Sequence, residues 1–589
     1  VLAAVALAFA DASVVALALP ELYIEFQASI PAVSWVLTSY ALAVAVAGLA
    51  GLVLVRRASS ATITAIGAGV FAAASVVAGA APELTTLIAA RVVQGVGGAA
   101  LVAGSFGVLV PLAGDAGRAA RWWAAAGTAG AAIGPALGGA VTQVFDWRAV
   151  FVLQAPVAAL AVAAAVRAGR RAEHLSIERG RRPAGALTAD VALALTFGAL
   201  VGALFLAVLL LVVVWGLAPL AGAAVVTALP AGTLVARRVG ARVSPHGAAL
   251  GGAATLAGGL ATLALLPAIS TAWVAGSLAW CGLGFGLLVG VLGPIAVPHA
   301  AGVRAATITS TARHLGLVLG LALIAPVLSG AVLAAAERAP LPATQAMLDA
   351  PVGGVTKVRL ALDIRDELDA TPSGEVPDLG GVFARRGAGD DPRLAALAHD
   401  IEHAVATVLT RSFRGSFAVA AGLAALAGLV AAVAIERARA VRRQRGLAGA
   451  LVAGGLLAAS LALPAGAVRA GAGDLGSFGL ADPCTAPPDP YPGDGLDAAA
   501  QRLVLSGLNG AACELGLTRE ALVLSLEPRS GVDVEWDRAT IEDALRSGVQ
   551  RAISDADQRN TLPGWIASSL SWLVDRVPVS WFLERLGVG

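Results

Sequence analysis

Apolar runs of about twenty residues, enough for a helix to cross a hydrocarbon core roughly 30 Å thick, recur along the chain between short polar breaks. They lie near 1–20, 33–55, 61–81, 84–112, 119–143, 148–168, 190–215, 217–237, 247–268, 272–297, 306–335, 413–435 and 447–467, which predicts twelve spans followed by a thirteenth. The breaks alternate in charge. If the first span runs outward, one side collects Arg56 and Arg57; Arg118 and Arg121; Arg167, Arg170, Arg171, Arg179, Arg181 and Arg182; and Arg237, Arg238 and Arg242. The other collects Glu21, Glu25, Glu83, Asp146 and a neutral stretch at 267–271. Basic residues concentrate in cytoplasmic loops, so this asymmetry fixes the orientation.

Two long polar segments interrupt the pattern. Residues 336–412 fall outside by parity, are rich in Asp and Glu, and are broken by Pro340, Pro342, Pro351, Pro372 and Pro377. After the twelfth span, Arg437, Arg439, Arg442, Arg443 and Arg445 form a cytoplasmic patch suited to anionic lipid. The thirteenth span then returns the chain to the exterior. There a Pro/Gly/Asp-rich linker at 484–495 precedes helical spacing at 498–515, 518–526 and 540–553, with a capped start near Asp537 and Thr540. Trp565, Trp572, Trp581 and Phe582 close the tail, either at the membrane interface or in a small core. The segments read as an N-terminal six-helix half at 1–168, a linker at 169–189 and a second half at 190–436 carrying loop 336–412. A basic loop at 437–446, an extra helix at 447–467 and an exterior domain at 468–589 follow.

Composition agrees. Of 589 residues 58% are hydrophobic and 14% charged, and the mean hydropathy is +0.80, which excludes a soluble enzyme of this length and makes the lipid bilayer the first partner. The net charge of +2 adds little because the signs are segregated, and no nucleic-acid partner is expected. Val1 lies already inside an apolar run, so the true N-terminus is expected to be missing or removed. Cys281 falls within a span, whereas Cys484 and Cys513 share the polar tail and would form a disulfide if that tail lies outside the cytoplasm.

Several positions inside the spans carry chemistry. Residues 127–139 read G-T-A-G-A-A-I-G-P-A-L-G-G, so Gly130, Gly134 and Gly138 line one helical face with Pro135 among them, beside Gly127 and Gly139. In lipid such small residues let a neighbouring helix approach closely. Asp11 lies mid-span, where a carboxylate costs on the order of 3 kcal/mol or more and needs a partner or a function. Burial raises a carboxyl pKa, which suits proton exchange near neutral pH. Arg91 is a second intramembrane charge.

These residues sit in recognisable passages. D-A-S-V-V-A-L-A-L-P at 11–20, L-I-A-A-R-V-V-Q-G-V-G-G at 87–98, the glycine seam, W-R-A-V-F-V-L-Q-A-P at 147–156 and R-H-L-G-L-V-L-G-L-A at 313–322 resemble the major facilitator superfamily. Within it they resemble the drug:proton antiporters, usually of fourteen spans. The resemblance implies an all-α polytopic membrane protein with two six-helix halves, here with a thirteenth span and a small, mostly helical exterior domain. It also implies multidrug-type export of hydrophobic or cationic compounds across the cell membrane, driven by the proton gradient with no cofactor. Asp11 and Arg91 would couple the proton, and residues 127–139 would form the antiporter motif. Trp35, Tyr40, Gln94, Phe106, Gln154, Trp280 and Arg313 are candidates for the substrate cavity, with His314 a weaker titratable group. The chain departs from the group at Val55, where the loop after span two normally carries an acid, at Ala16 in place of Asn, and in lacking an extra pair of spans between its halves.

Enzyme motifs fail. Gly282, Gly284 and Gly286 lie in a span without a nucleotide-binding context. His399 to His403 fits H-x-x-E-H but has no evident third ligand, so a solvated helix face is the expected reading. Two further readings stay open: export of a lipid or cell-envelope precursor handed to the outer segments, and a transporter-like anchor for an exterior module that binds an envelope partner.

Overall fold

A computed structural model describes residues 1–54, 59–168, 184–267, 269–297, 302–336, 340–370, 379–438, 480–485, 495–525, 537–561 and 563–576, with Tyr491 and scattered positions between 456 and 465. The described chain is helical throughout. Among the described residues ten helices are long and apolar enough to cross a membrane, and α1 (Leu2–Ala16) with α2 (Leu19–Glu25), inclined at 51°, adds an eleventh crossing if counted as one span. The other crossings begin with α3 (Ile30–Leu54), α4 (Ser60–Gly79) and α5 (Leu84–Ala113). α6 (Ala116–Val144) is long enough too, with no charged residue between 124 and 144, though it is not among the ten.

Proline accounts for the breaks. A proline ring clashes with the carbonyl four residues earlier and supplies no N–H. Accordingly α1 stops at Ala16, four before Pro20; α7 (Trp147–Val152) stops four before Pro156; and α10 (Pro219–Val226) stops four before Pro230. Each resumes at once, as α2, α8 (Gln154–Ala168) and α11 (Ala228–Gly240). Counted as one span, the first crossing expected at 1–20 bends after Ala16 and reaches Glu25. α9 (Ala186–Val208) runs on into a π-helical turn at Leu209–Val214, followed by α12 (Pro245–Ala264), α13 (Thr271–Ala296) and α14 (Gly302–Ala336).

The chain divides into two compact units, residues 1–332 with 410–473 and residues 333–409 with 474–589. In the first, α1 packs on α6, α3 and α4 on α5, and α11 and α12 on α13, around a core that includes Leu17, Leu37, Phe205, Leu256 and Phe417.

The second unit joins what the sequence presents as separate pieces, loop 336–412 and the tail. The loop is not merely polar: α15 (Pro340–Asp349), α16 (Gly354–Ala370), α17 (Leu379–Arg385) and the start of α18 (Pro392–Ala438) bury Leu360, Val382, Phe383, Leu397 and Ile401. Pro340, Pro342 and Pro351 punctuate helices there rather than prevent them. The tail contributes α19 (Leu496–Glu514), α20 (Arg519–Ser525), α21 (Arg538–Gln558) and α22 (Gly564–Arg576). The Tyr491 hydroxyl donates to the Val352 carbonyl at 2.8 Å, Gln501 Nε2 donates to the same oxygen at 3.2 Å, and Arg519 pairs with Asp349 at 2.7 Å. Cys484 and Cys513 are joined in a disulfide. Asp537 caps α21 by accepting from the Thr540 N–H at 2.8 Å. Trp565 and Trp572 are exposed rather than in a core.

Several expectations fall outside the described residues: Val55, Arg56 and Arg57, most of linker 169–189, the basic run from 439, nearly all of the thirteenth span, Trp581 and Phe582.

Candidate functional site

The bend after α1 leaves Asp11 fully buried five residues before the helix ends, facing α5. There Arg91, also fully buried, meets it in a two-pronged ion pair, Nη1 to Oδ1 at 2.8 Å and Nη2 to Oδ2 at 2.5 Å. The remaining donors are used as well: Arg91 Nε bonds the Val36 carbonyl of α3 at 3.0 Å, and Nη1 also reaches Gln94 Oε1 at 2.6 Å. Gln94 sits one turn along α5 from Arg91. Its amide donates to Ser75 Oγ at 2.8 Å and to Gln154 Oε1 at 2.9 Å. Tyr40 lies under the guanidinium at 4.2 Å, with its hydroxyl 3.5 Å from the Ala8 carbonyl. Five helices, α1, α3, α4, α5 and α8, therefore converge on one buried polar network.

Paired charges at this depth are tolerated because geometry and extra hydrogen bonds satisfy both ions. The arrangement has a chemical consequence. Arg91 Nη1 is shared between a carboxylate and a neutral amide oxygen, so the guanidinium has a second acceptor besides Asp11.

The seam fixes where α1 stands. A Cβ on Gly130 would lie 1.9 Å from the Ala6 carbonyl oxygen, on Gly134 2.0 Å from Ser13 Oγ, and on Gly138 2.4 Å from the Val14 carbonyl oxygen. Gly127 lies against the Phe9 ring, and Pro135 is buried within α6. Gly139 turns the other way, towards Pro219 and Ala223 of α10. One helix thus touches α1 in its own half and α10 in the next.

The other candidates are scattered. Phe106 packs with Leu109 and Trp123 at the Val1 end of α1. Trp35 is 48% exposed and shares none of the network's contacts. Trp280 is half-buried, its Nε1 without a hydrogen-bond partner among the described residues. The Arg313 guanidinium lies over Phe197 at 4.0 Å and Phe9 at 5.4 Å, and His314 Nδ1 contacts the Ser310 carbonyl at 2.8 Å. His399 and His403 lie one turn apart on α18 with ring centroids 6.2 Å apart, and among the described residues no group of three metal-ligating side chains forms.

Three features were missed from the sequence. Ser75 belongs to the network, though one Ser in an apolar run gives little signal. Asp190 is buried in α9 and accepts from Thr309 Oγ1 at 2.7 Å; an acid at the edge of an apolar run reads as a boundary. It borders a 370 Å³ cavity that Leu49, Gly198, Thr311, Gly316 and Leu423 also line. Finally, Glu21 accepts from the Trp147 N–H at 2.8 Å, while Glu25 accepts from Trp147 Nε1 and pairs with Arg148 at 2.6 Å, tying α2 to α7.

The sequence profile of the Major Facilitator Superfamily matches residues 1–332. Over shorter stretches the chain is similar to three curated resistance proteins. It is 34% identical to the methylenomycin A resistance protein of Bacillus subtilis over 27% of this chain and 34% of that one. It is 32% identical to the multidrug resistance protein Stp of Mycobacterium tuberculosis over 26% and 29%, and 36% identical to the puromycin resistance protein pur8 of Streptomyces alboniger over 28% and 33%. The match thus spans about a third of these relatives' length. Among solved structures, a bacterial homologue of the human lysosomal transporter Spinster superposes with a TM-score of 0.51 in its unoccupied form, at 16% identity, over 76% of this chain and 98% of that one. In its occupied form the TM-score is 0.53. At that identity the likeness speaks for the fold alone.

Proposed function

Because the chain belongs to the Major Facilitator Superfamily, a family of transporters rather than enzymes, we propose that it is a proton-coupled exporter of hydrophobic or amphiphilic small molecules. Residues 1–168 and 190–436 act as two six-helix halves that rock about a midplane cavity. The observation that carries the coupling is the buried Asp11–Arg91 pair with Gln94 as a second acceptor. Protonation of Asp11 neutralises one partner, and deprotonation restores the attraction, so the two states differ in the contact between α1 and α5. The resistance proteins named above, of which only part is matched, favour export over uptake.

The test is proton-driven efflux of a lipophilic dye from proteoliposomes. Asp11→Asn is expected to abolish the dependence on the pH gradient, with a rate at least about 100-fold lower, the lower range for loss of a proton-transfer group. Undiminished, gradient-dependent efflux by the variant would remove Asp11 from the mechanism.

The second unit favours a more elaborate reading, transfer of a lipid or envelope precursor to an exterior receiving module, because a plain pump needs no disulfide-linked helical domain. Parity, the disulfide and the joining of loop to tail all support an extracytoplasmic location for that unit. After reduction, Cys484 and Cys513 should react with a membrane-impermeant maleimide on intact cells. Labelling only after lysis would place the tail inside and cancel the thirteenth crossing.

A further inference from the structure

Arg313 is the charge the network leaves over. It projects from α14 between the Phe9 ring of α1 and the Phe197 ring of α9, one from each half. Each ring is met edge-on by a further aromatic, Phe9 by Trp123 at 5.1 Å and Phe197 by Phe285 at 5.0 Å. All five side chains are only half-buried.

The charges are unevenly paired. Asp11 and Arg91 cancel each other in a bonded pair, and Asp190 takes a hydrogen bond from Thr309, one turn before Arg313. Among the described residues the Arg313 guanidinium has only its two ring contacts, with neither an acid nor a hydrogen-bond acceptor. A guanidinium carries five N–H donors in a planar fork matched to carboxylate and related oxyanions. Ring faces offset only part of the cost of holding a cation at this depth.

We infer that Arg313 receives the acidic group of an aromatic organic anion whose ring system lies against Phe9, Trp123, Phe197 and Phe285. The fork takes the carboxylate, sulfonate or phosphate, and the four rings take the apolar body. Cations meet an unopposed positive charge in the same space, while Asp11, already paired, offers them no free carboxylate. The inference rests on the exporter reading and narrows it, replacing the cationic substrate expected from resemblance with an anionic one. Because both halves contribute a ring, the bound anion also touches both bodies that must move.

The experiment measures fluorescein binding by anisotropy to the full chain in phosphatidylcholine nanodiscs, and in parallel the pH-driven movement of fluorescein and of ethidium in proteoliposomes. Arg313→Gln should weaken fluorescein binding by about tenfold or more, the scale of a charge-assisted hydrogen bond. Arg313→Lys should retain a larger share, which also guards against a variant that fails to fold. Equal fluorescein affinity in wild type and Arg313→Gln overturns the inference, as does wild-type transport of ethidium with no fluorescein bound. Fluorescein bound through Arg313 but moved by no gradient keeps the site and removes the exporter reading. Adding phosphatidylglycerol separates two sources of the anion: competition seen in wild type and absent in Arg313→Gln assigns the site to an acidic lipid headgroup, and unchanged binding to a soluble acid.

Discussion

At the scale of single residues, Asp11 and Arg91 each show in the sequence as a charge that has no business inside an apolar run. Their pairing does not show, because they are separated by 80 positions and the bond depends on how α1 meets α5. The pair makes a sharp energetic prediction. Asp11→Asn leaves Arg91 buried without its counter-charge, which should lower stability by about 3–5 kcal/mol. Adding Arg91→Met should recover part of that loss, since the uncompensated charge is then gone. Thermal unfolding of the purified single and double variants measures both. A double variant no more stable than Asp11→Asn would mean that Gln94 and Tyr40 already satisfy the guanidinium alone.

Among elements, the seam between α1 and α6 was legible from its four-residue glycine period, yet the period alone ranks its three central positions equally. The structure does not. Gly130 faces a backbone carbonyl that cannot step aside, whereas Gly134 faces the tip of Ser13, a side chain that can turn. Gly130→Ala should therefore insert normally and lose transport, while Gly134→Ala retains most of it. Membrane yield and efflux rate, compared for the two, decide; equal losses would make the seam respond to bulk alone. The apolar pattern likewise located the crossings but not their bends, because hydropathy is blind to the steric reach of Pro20, Pro156 and Pro230. It missed α22 because a short exposed helix with Trp565 and Trp572 buries little to mark its face.

For the molecule as a whole, the second unit adds a disulfide and exposed ion pairs to a small apolar core around Leu360 and Phe383. Arg386 beside Asp363, and the Thr540 hydroxyl and N–H at the cap of α21, hold the carboxyls of Asp363 and Asp537 below the ordinary carboxylate range. Groups with a depressed folded pKa add stability that is present above the unfolded value, near 4, and is lost as pH falls through the folded one. The second unit should therefore loosen first below about pH 4, read by circular dichroism and protease access, and hold unchanged between about pH 6 and 8. Cys484→Ser with Cys513→Ser opens a cross-link spanning a separation of 29 residues and should cost about 3–4 kcal/mol. That hydrophobic runs mark spans while loop and tail read as unrelated polar pieces has one physical cause: their contacts, such as Tyr491 to Val352 and Arg519 to Asp349, join segments well over a hundred residues apart. The same joining sets an order of events during synthesis. Residues 333–409 emerge from the ribosome before the partner strands of chain that complete them, and cannot reach their final state until the last stretch from 474 onward has been delivered to the same compartment. A ribosome stalled between residues 438 and 495 would leave the early segment without the tail helices that complete it.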